Sequence, residues 1–131
     1  MVIDMESIKF ITENDAINVH KNNGTEVSYY IFNEYEIHLN TIPPKSIQEW
    51  HYHLRIEETL LITKGQLTCR WLEDGKEKSK KINRNELVKV GNSIHTFENE
   101  TDEEVDFIVF RFVPEGIDKR EIIKNDKIIV E

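Results

Sequence analysis

The sequence predicts an all-β fold, a sandwich or barrel of short antiparallel strands, on the basis of three observations. Seven short runs are rich in β-branched and aromatic residues, a composition typical of strands. Gly, Pro, Asn and Asp separate these runs at short intervals, which favours turns over crossover helices. No segment has a sustained 3.6-residue period with helix start and stop signals. The seven runs span residues 27–32, 35–42, 59–63, 67–72, 87–90, 94–97 and 105–113.

Turn residues mark the boundaries between these runs. Lys64-Gly65 joins the third predicted strand to the fourth. Asp74-Gly75 predicts a type I′ hairpin turn, because both central positions of that turn need residues that tolerate positive φ. Residues 76–81, which are rich in lysine, are then the solvent-exposed second arm of this hairpin.

Beyond the seventh run the pattern is less regular. Residues 118–124 fit either one helical turn or an edge strand, and both alternatives remain open. Asn125-Asp126 predicts a turn, and residues 127–130 predict a terminal strand. Because no linker, repeat or low-complexity tract interrupts the chain, we expect one domain over residues 1–131.

The composition argues against two classes of partner. The chain carries 25 acidic and 17 basic residues, a net charge of −8, and the basic residues are dispersed except at 76–81. Nucleic acids and anionic membranes attract concentrated positive charge, so we predict neither as a partner. Cys69 is the only cysteine, which excludes an internal disulfide and fits a reducing compartment. With no signal peptide and no long apolar run, we expect a cytoplasmic location.

A group of candidate metal ligands lies near the middle of the chain. His51 and His53 alternate along one strand, so their imidazoles share a face. Glu58 opens the next strand, and a reversal across residues 54–57 places its carboxylate beside them. His95 opens a later strand. Three imidazoles and one carboxylate suit Fe, Mn, Ni, Co or Zn, so we predict one divalent transition metal ion as cofactor.

The spacing of His51, His53 and Glu58 resembles the first sequence motif of the cupin superfamily. That motif contains His-x-His, three or four residues, Glu, six residues and Gly, and Gly65 completes it. A lysine takes the place of the leading glycine of the motif. Glu57 would satisfy the shorter gap, but Glu58 keeps the six-residue spacing to Gly65 and is the preferred ligand.

His95 and Asn99 resemble the second cupin motif, although three of its Gly and Pro positions carry other residues. The resemblance implies a single cupin-type jelly-roll β-barrel, with its motif-bearing core at about residues 43–113. It also implies a metal site in that barrel, with one ligand from the second motif. The implied metal ligands are His51, His53, Glu58 and His95.

A second, weaker likeness concerns the ligand. The segment that contains Gln48 and Arg55 resembles the cupin part of bacterial mannose-phosphate isomerase/guanylyltransferase proteins, which implies a sugar or sugar-phosphate ligand. Arginine is well shaped for bidentate contact with phosphate or carboxylate. Arg111 lies inside an apolar run, where an unpaired charge is costly, so we expect it to pair in the cavity or at a subunit edge. We therefore predict that Gln48, Arg55 and Arg111 contact the ligand.

The remaining histidines and the cysteine have simpler interpretations. His20 lies in a polar turn and is expected at the surface. His38 alternates with Glu36 and Asn40, which favours a solvent-facing position, with a place at the barrel mouth as the alternative. Cys69 alternates with apolar residues and is expected in the core.

Three functions are compatible with this sequence. The first is a metal-dependent enzyme acting on a small polar molecule, for example an isomerase or dioxygenase, with no catalytic residue identified. The second is a non-catalytic ligand-binding or sensor protein in which the metal is structural. The third is an oligomerisation role in a homodimer that covers Ile108, Phe110 and Phe112. The sequence leaves open whether the chain is an enzyme.

Overall fold

The computed structural model describes residues 7–113 and 120–130. Over these residues the chain forms twelve strands, one short 3-10 turn at Glu13–Asp15 and one short helix, α1, at Arg120–Asn125. The strands are β1 (Ile17–His20), β2 (Glu26–Ile31), β3 (Tyr35–Ile42), β4 (Ser46–Ile47), β5 (His51–His53), β6 (Glu57–Lys64), β7 (Gln66–Glu73), β8 (Lys76–Asn83), β9 (Leu87–Lys89), β10 (His95–Asn99), β11 (Val105–Phe112) and β12 (Lys127–Ile129).

The strands form two antiparallel sheets. The first has the order β1-β2-β3-β11-β6-β9, and the second has the order β12-β5-β10-β7-β8, with β4 also paired to β10. Neighbours such as β3 and β11, or β5 and β10, are distant in sequence, so the chain crosses repeatedly from one sheet to the other. This connectivity is typical of a jelly roll. The all-β prediction is confirmed.

Each of the seven predicted runs is a strand in the structure, with ends that differ by two residues or fewer. The terminal strand is also present as β12. Strand β1 was not predicted, because all four of its residues are exposed and it lacks the alternation that burial of one face imposes. Residues 120–124 take the helical alternative as part of α1, while residues 118 and 119 lie outside the described part of the chain.

The core lies between the two sheets and follows the alternation of the strands. Along β6 and β11 buried residues alternate with partly exposed ones, as expected when one face of a strand packs inward. Cys69 is buried in this core, as predicted. The central cluster consists of Ile42, Leu60, Ile62, Leu67, Cys69, Ile82, Val90, Phe97, Val105, Phe107 and Val109.

Two turns depend on residues that tolerate positive φ. Asp74 and Gly75 have φ of 51° and 75°, which agrees with the predicted type I′ hairpin between β7 and β8. Gly65 has φ of 83°, and a Cβ there would lie 3.1 Å from both the Glu104 carbonyl oxygen and Val105 Cγ2. A side chain at position 65 would therefore crowd the start of β11 as well as strain the turn. The second hairpin arm, β8, is exposed except at one residue, as predicted.

The C-terminal segment packs over the connection between β5 and β6. Ile123 of α1 forms a small apolar cluster with Ile56 and Val113, and Ile122 packs against it. After α1, strand β12 pairs with β5, so that Lys127 lies opposite His53. The segment thus covers the part of the second sheet that carries the His-x-His pair. Among the described residues, no helix is long and apolar enough to cross a membrane.

Candidate metal centre

The four predicted ligands meet at one point between the two sheets. His51 and His53 lie on β5, and His95 lies on the adjacent strand β10, directly opposite His51. Glu58 lies on β6 of the facing sheet. All four side chains are buried, and one potential ligand atom from each lies within 4.8 Å of the others. The structure therefore brings together the set that the sequence predicted, and this set can hold a metal ion.

Hydrogen bonds on the far side of two imidazoles determine which nitrogen faces this point. The Nδ1–H of His51 donates to the Glu49 carbonyl oxygen at 2.8 Å, and the Nδ1–H of His95 donates to the Ser93 carbonyl oxygen at 2.9 Å. Because a carbonyl can only accept, each Nδ1 carries the proton and each Nε2 is left with a lone pair. Carbonyl groups orient metal-binding histidines in the same way.

The nitrogens that face the centre have no hydrogen-bond partner among the described residues. They include Nε2 of His51, His53 and His95. His53 Nε2 is 2.7 Å from Glu58 Oε2, but the two atoms do not have the alignment of a hydrogen bond. A buried polar atom without a partner costs free energy, and coordination to an ion would satisfy all three nitrogens at once. The donor atoms therefore fit a metal ion.

Arg111 keeps the carboxylate of Glu58 ionised. Its Nε donates to Glu58 Oε2 at 2.9 Å across the β6–β11 pair, where the two residues are directly opposite. Burial alone would raise the pKa of Glu58, but Arg111 and then His53 lower it by more. The net pKa lies below its ordinary value, so Glu58 is an anion at neutral pH.

The imidazoles of His51 and His95 are neutral, which is the form that binds metal ions. Burial lowers the pKa of His51 to about 3, although its bond to the Glu49 carbonyl opposes this in part. Burial also lowers the pKa of His95, again opposed in part by its bond to the Ser93 carbonyl. At neutral pH no proton has to leave either ring before an ion binds.

The rival carboxylate, Glu57, points away from this centre. It lies one residue earlier on β6 and so on the other face of the strand, partly exposed and 3.9 Å from Lys89 Nζ. The structure thus supports the choice of Glu58 that the six-residue spacing to Gly65 suggested.

Asp126 holds the loop that joins the two ligand-bearing strands. Its Oδ2 accepts the backbone N–H groups of Leu54 and Arg55 at 3.0 Å and of Ile56 at 3.3 Å. The same oxygen lies 3.9 Å from His53 Nδ1. From the sequence, Asp126 was expected only as a turn residue, because no local pattern indicates a contact with residues 70 to 72 positions earlier. It is a positioning residue for His53 and Glu58.

Replacing Asp126 with alanine is expected to weaken metal binding by about 10- to 100-fold, the usual effect of removing an outer-shell partner. It should also reduce the free energy of unfolding by about 3 kcal/mol, because three backbone N–H groups lose their acceptor. Competition with a chelating dye and urea unfolding measure the two effects. Asp126→Asn retains an acceptor oxygen, so its metal affinity and its free energy of unfolding should lie between those of the wild type and of Asp126→Ala. Asp102→Ala, at an exposed position, is the control; equal effects in both alanine variants would contradict the role of Asp126.

A small cavity of about 50 Å³ adjoins the candidate metal centre. It is lined by the two ligands His51 and Glu58, by polar and charged side chains, and by apolar core residues. Arg111 and Gln48 line this cavity, and the Gln48 amide donates to Thr25 Oγ1 at 2.8 Å. Arg55 has an exposed side chain and is not among the lining residues. The other lining residues are Lys21, Val27, Tyr29, His38, Asn40, Leu60, Phe97, Phe107, Val109 and Lys127.

His38 lines this cavity, and the predicted solvent-facing position is wrong. It is 2% exposed, and its Nε2 bonds to Glu36 Oε1 at 2.6 Å. Burial lowers the pKa of His38, and the bond to Glu36 opposes the shift in part. A strand face that lines a polar cavity has the same alternation of polar residues as a face in solvent, so the sequence pattern could not separate the two. His20, by contrast, is exposed as expected.

No protein-family model matches the sequence, and no curated protein matches it. Solved structures do match the fold. The capsular polysaccharide assembling protein CapF from Staphylococcus aureus is 15% identical with a TM-score of 0.70, over 88% of this chain and 34% of that chain. A sugar phosphate isomerase of the cupin superfamily from Silicibacter pomeroyi is 20% identical with a TM-score of 0.59, over 68% and 59%. Oxalate decarboxylase from Bacillus subtilis is 20% identical with a TM-score of 0.62, over 72% and 26%.

These likenesses confirm the predicted jelly-roll fold of the cupins. The chain spans between 26% and 59% of the lengths of these three proteins, so their activities do not transfer with the fold. The Bacillus subtilis oxalate decarboxylase has Mn(II) centres.

Proposed function

We propose that this chain is a cupin that binds one divalent transition metal ion and, at that ion, a small polar molecule. The ligands are His51, His53, Glu58 and His95, and the ion is Fe, Mn, Ni, Co or Zn. The observation that carries the proposal is the convergence of four buried ligand atoms within 4.8 Å of one another. The three imidazole nitrogens that face this point have no other partner among the described residues.

As an enzyme, the protein would be a metal-dependent isomerase or dioxygenase, and we favour a sugar or sugar phosphate as its substrate. The sugar phosphate isomerase with the same fold supports this choice. A bound ion would supply Lewis-acid chemistry, polarising a carbonyl or lowering the pKa of a bound water. The chain itself keeps Glu58 anionic through Arg111. His38 lines the same cavity, and its hydrogen bond to Glu36 can hold a proton there.

The alternative is a non-catalytic ligand-binding or sensor protein in which the metal is structural. The size of the cavity favours this alternative, because about 50 Å³ accommodates only one or two water-sized groups beside the ion.

Elemental analysis of protein purified without a metal-affinity tag tests the proposal. We expect about one equivalent of a single transition metal per chain. Substoichiometric metal even after reconstitution with each of the five ions would refute it. Assays of oxygen uptake and of aldose–ketose isomerisation then separate the two candidates: turnover supports the enzyme, while thermal stabilisation by a retained small molecule without turnover supports the sensor.

We also propose that the chain forms one cupin domain and acts in the cytoplasm as a homodimer. Phe110 and Phe112 lie on β11 and remain more than a third exposed, and Ile108 on the same strand is partly buried. Tyr35 lies opposite Phe112 on β3, so the apolar surface continues across two strands. A second copy covering this surface would remove it from water.

A further inference from the structure

A groove of about 460 Å³ lies outside the cavity and continues into it. The groove and the cavity share four lining residues: Lys21, Tyr29, Arg111 and Lys127. A molecule in this groove would therefore contact residues that also line the cavity of His51 and Glu58. The volume is within the usual range for small-molecule sites, whereas the cavity alone is far below it.

The charge of this groove is opposite to that of the chain. Five basic side chains line it against two acidic ones, although the whole sequence has 17 basic and 25 acidic residues. Arg111 is paired with Glu58, and Glu36 is hydrogen-bonded to His38, so four basic residues of the groove remain beside Arg111 against two acidic ones. Like charges gathered in a concave site raise the local concentration of ions of the opposite sign. The five basic residues are Lys21, Arg111, Arg120, Lys124 and Lys127.

Lys21 and Lys127 are the two lysines placed where the groove meets the cavity. No carboxylate among the described residues lies within ion-pair distance of Lys21 Nζ, and Lys127 Nζ is 3.6 Å from Glu49 Oε1. Burial lowers the pKa of Lys21, and the neighbouring charge of Lys127 lowers it further. A bound anion near the two ammonium groups would offset both the burial of the Lys21 charge and its repulsion by Lys127.

The backbone fixes Lys21 at this position. It follows β1 and begins the turn to β2, where its N–H donates to the Thr25 carbonyl oxygen at 2.8 Å. Its own carbonyl oxygen accepts the N–H of Gly24 at 2.9 Å. Lys127 lies on β12 opposite His53, so the same strand that supports the candidate metal centre presents the second lysine. The backbones of both lysines are thus fixed by secondary structure, and only their side chains have to be ordered when a ligand binds.

We propose that this groove binds the anionic group, a phosphate or a carboxylate, of a small molecule whose other end reaches the metal centre. Lys21 and Lys127 are the residues that make the groove select a negatively charged molecule. The inference rests on the proposed function, since it names the class of small molecule that would bind at the metal centre. It does not require the ion for the anion itself to bind.

Titration calorimetry with inorganic phosphate and, separately, with acetate tests the groove in metal-free and metal-loaded protein. We expect at least one of these anions to bind the metal-free protein, and binding to weaken as salt is added. Lys21→Gln combined with Lys127→Gln should raise the Kd by at least about tenfold, since each charge-assisted hydrogen bond contributes about 1.5–3 kcal/mol. Preference for phosphate indicates a phosphorylated ligand, and preference for acetate indicates a carboxylate.

The matched control is Lys76→Gln combined with Lys80→Gln, which makes the same change of charge on the exposed strand β8. Circular dichroism establishes that both double variants are folded. Failure of both anions to bind the wild-type protein, or an equal Kd in the two double variants, would overturn the proposal. Anion binding in a protein that takes up no metal would refute the proposed function alone, whereas metal uptake without anion binding would refute the groove alone.

Discussion

Replacing His51 and His53 together with alanine is expected to abolish stoichiometric metal binding. The change removes two of the three imidazoles and leaves one imidazole and one carboxylate, on different sheets. Loss of an outer-shell partner alone weakens binding by about 10- to 100-fold, so the loss of two ligands should exceed about 100-fold. Elemental analysis after dialysis and competition with a chelator measure this effect.

The stability of the same variant separates metal binding from folding. In the wild-type protein, added metal should raise the Tm, because an ion that binds only the folded state stabilises it by mass action. In the double variant this rise should vanish. The metal-free variant should still fold, since three of the four buried nitrogens that the substitution removes have no hydrogen-bond partner among the described residues. His20→Ala, at an exposed histidine, should leave the Tm rise unchanged. Tight stoichiometric binding in the double variant would refute the ligand assignment.

Metal-free protein is expected to lose stability steeply as the pH falls from about 7 to about 5. The pKa of His51 is lowered from 6.5 to about 3, and those of His38 and His95 are also lowered, each mainly by burial. In this window the unfolded chain binds protons that the folded chain does not bind, so acid favours unfolding. His51 alone contributes up to about 1.4 kcal/mol per pH unit, and His38 and His95 steepen the slope in the same direction.

Below about pH 4.5 the lowered pKa of Glu58 acts in the same direction. A carboxylate whose pKa is lower in the folded state stabilises the protein while ionised, and that stabilisation is lost as it is protonated. Urea unfolding with chelator present, at several pH values, measures the slope of the unfolding free energy against pH. His38→Gln should reduce the slope, and His20→Gln should not. A free energy of unfolding that is constant between pH 7 and 5 would contradict this account.

The ligand set could be predicted because its geometry is largely local. His51 and His53 share a face through the two-residue period of a strand, and a short reversal brings Glu58 back beside them. The strands themselves could be predicted from their composition, because runs such as β6 and β11 are rich in β-branched, aliphatic and aromatic residues that pack well on a pleated sheet. His95 depended on the second cupin motif, and the antiparallel pairing of β10 with β5 places it opposite His51.

The residues that were missed depend on contacts between distant parts of the chain. Asp126 meets Leu54 across 72 positions, and Lys127 reaches the groove only because β12 pairs with β5. Nothing local in the segment around Lys21 indicates which strand or cavity it faces. His38 was placed in solvent because a polar cavity and water impose the same alternation on a strand. Sequence patterns report which faces are apolar, but they do not report which polar faces meet.

The division of the ligands between the sheets gives the site a mechanical consequence. Glu58 belongs to the first sheet, and His51, His53 and His95 belong to the second, so one ion coordinated by all four would cross-link the two halves of the sandwich. With Cys69 as its only cysteine, the chain cannot form an internal covalent cross-link, and coordination would provide a reversible one. The free energy of unfolding would then depend on the concentration of free ion. It would rise by about 1.4 kcal/mol for each tenfold increase of that concentration above the Kd.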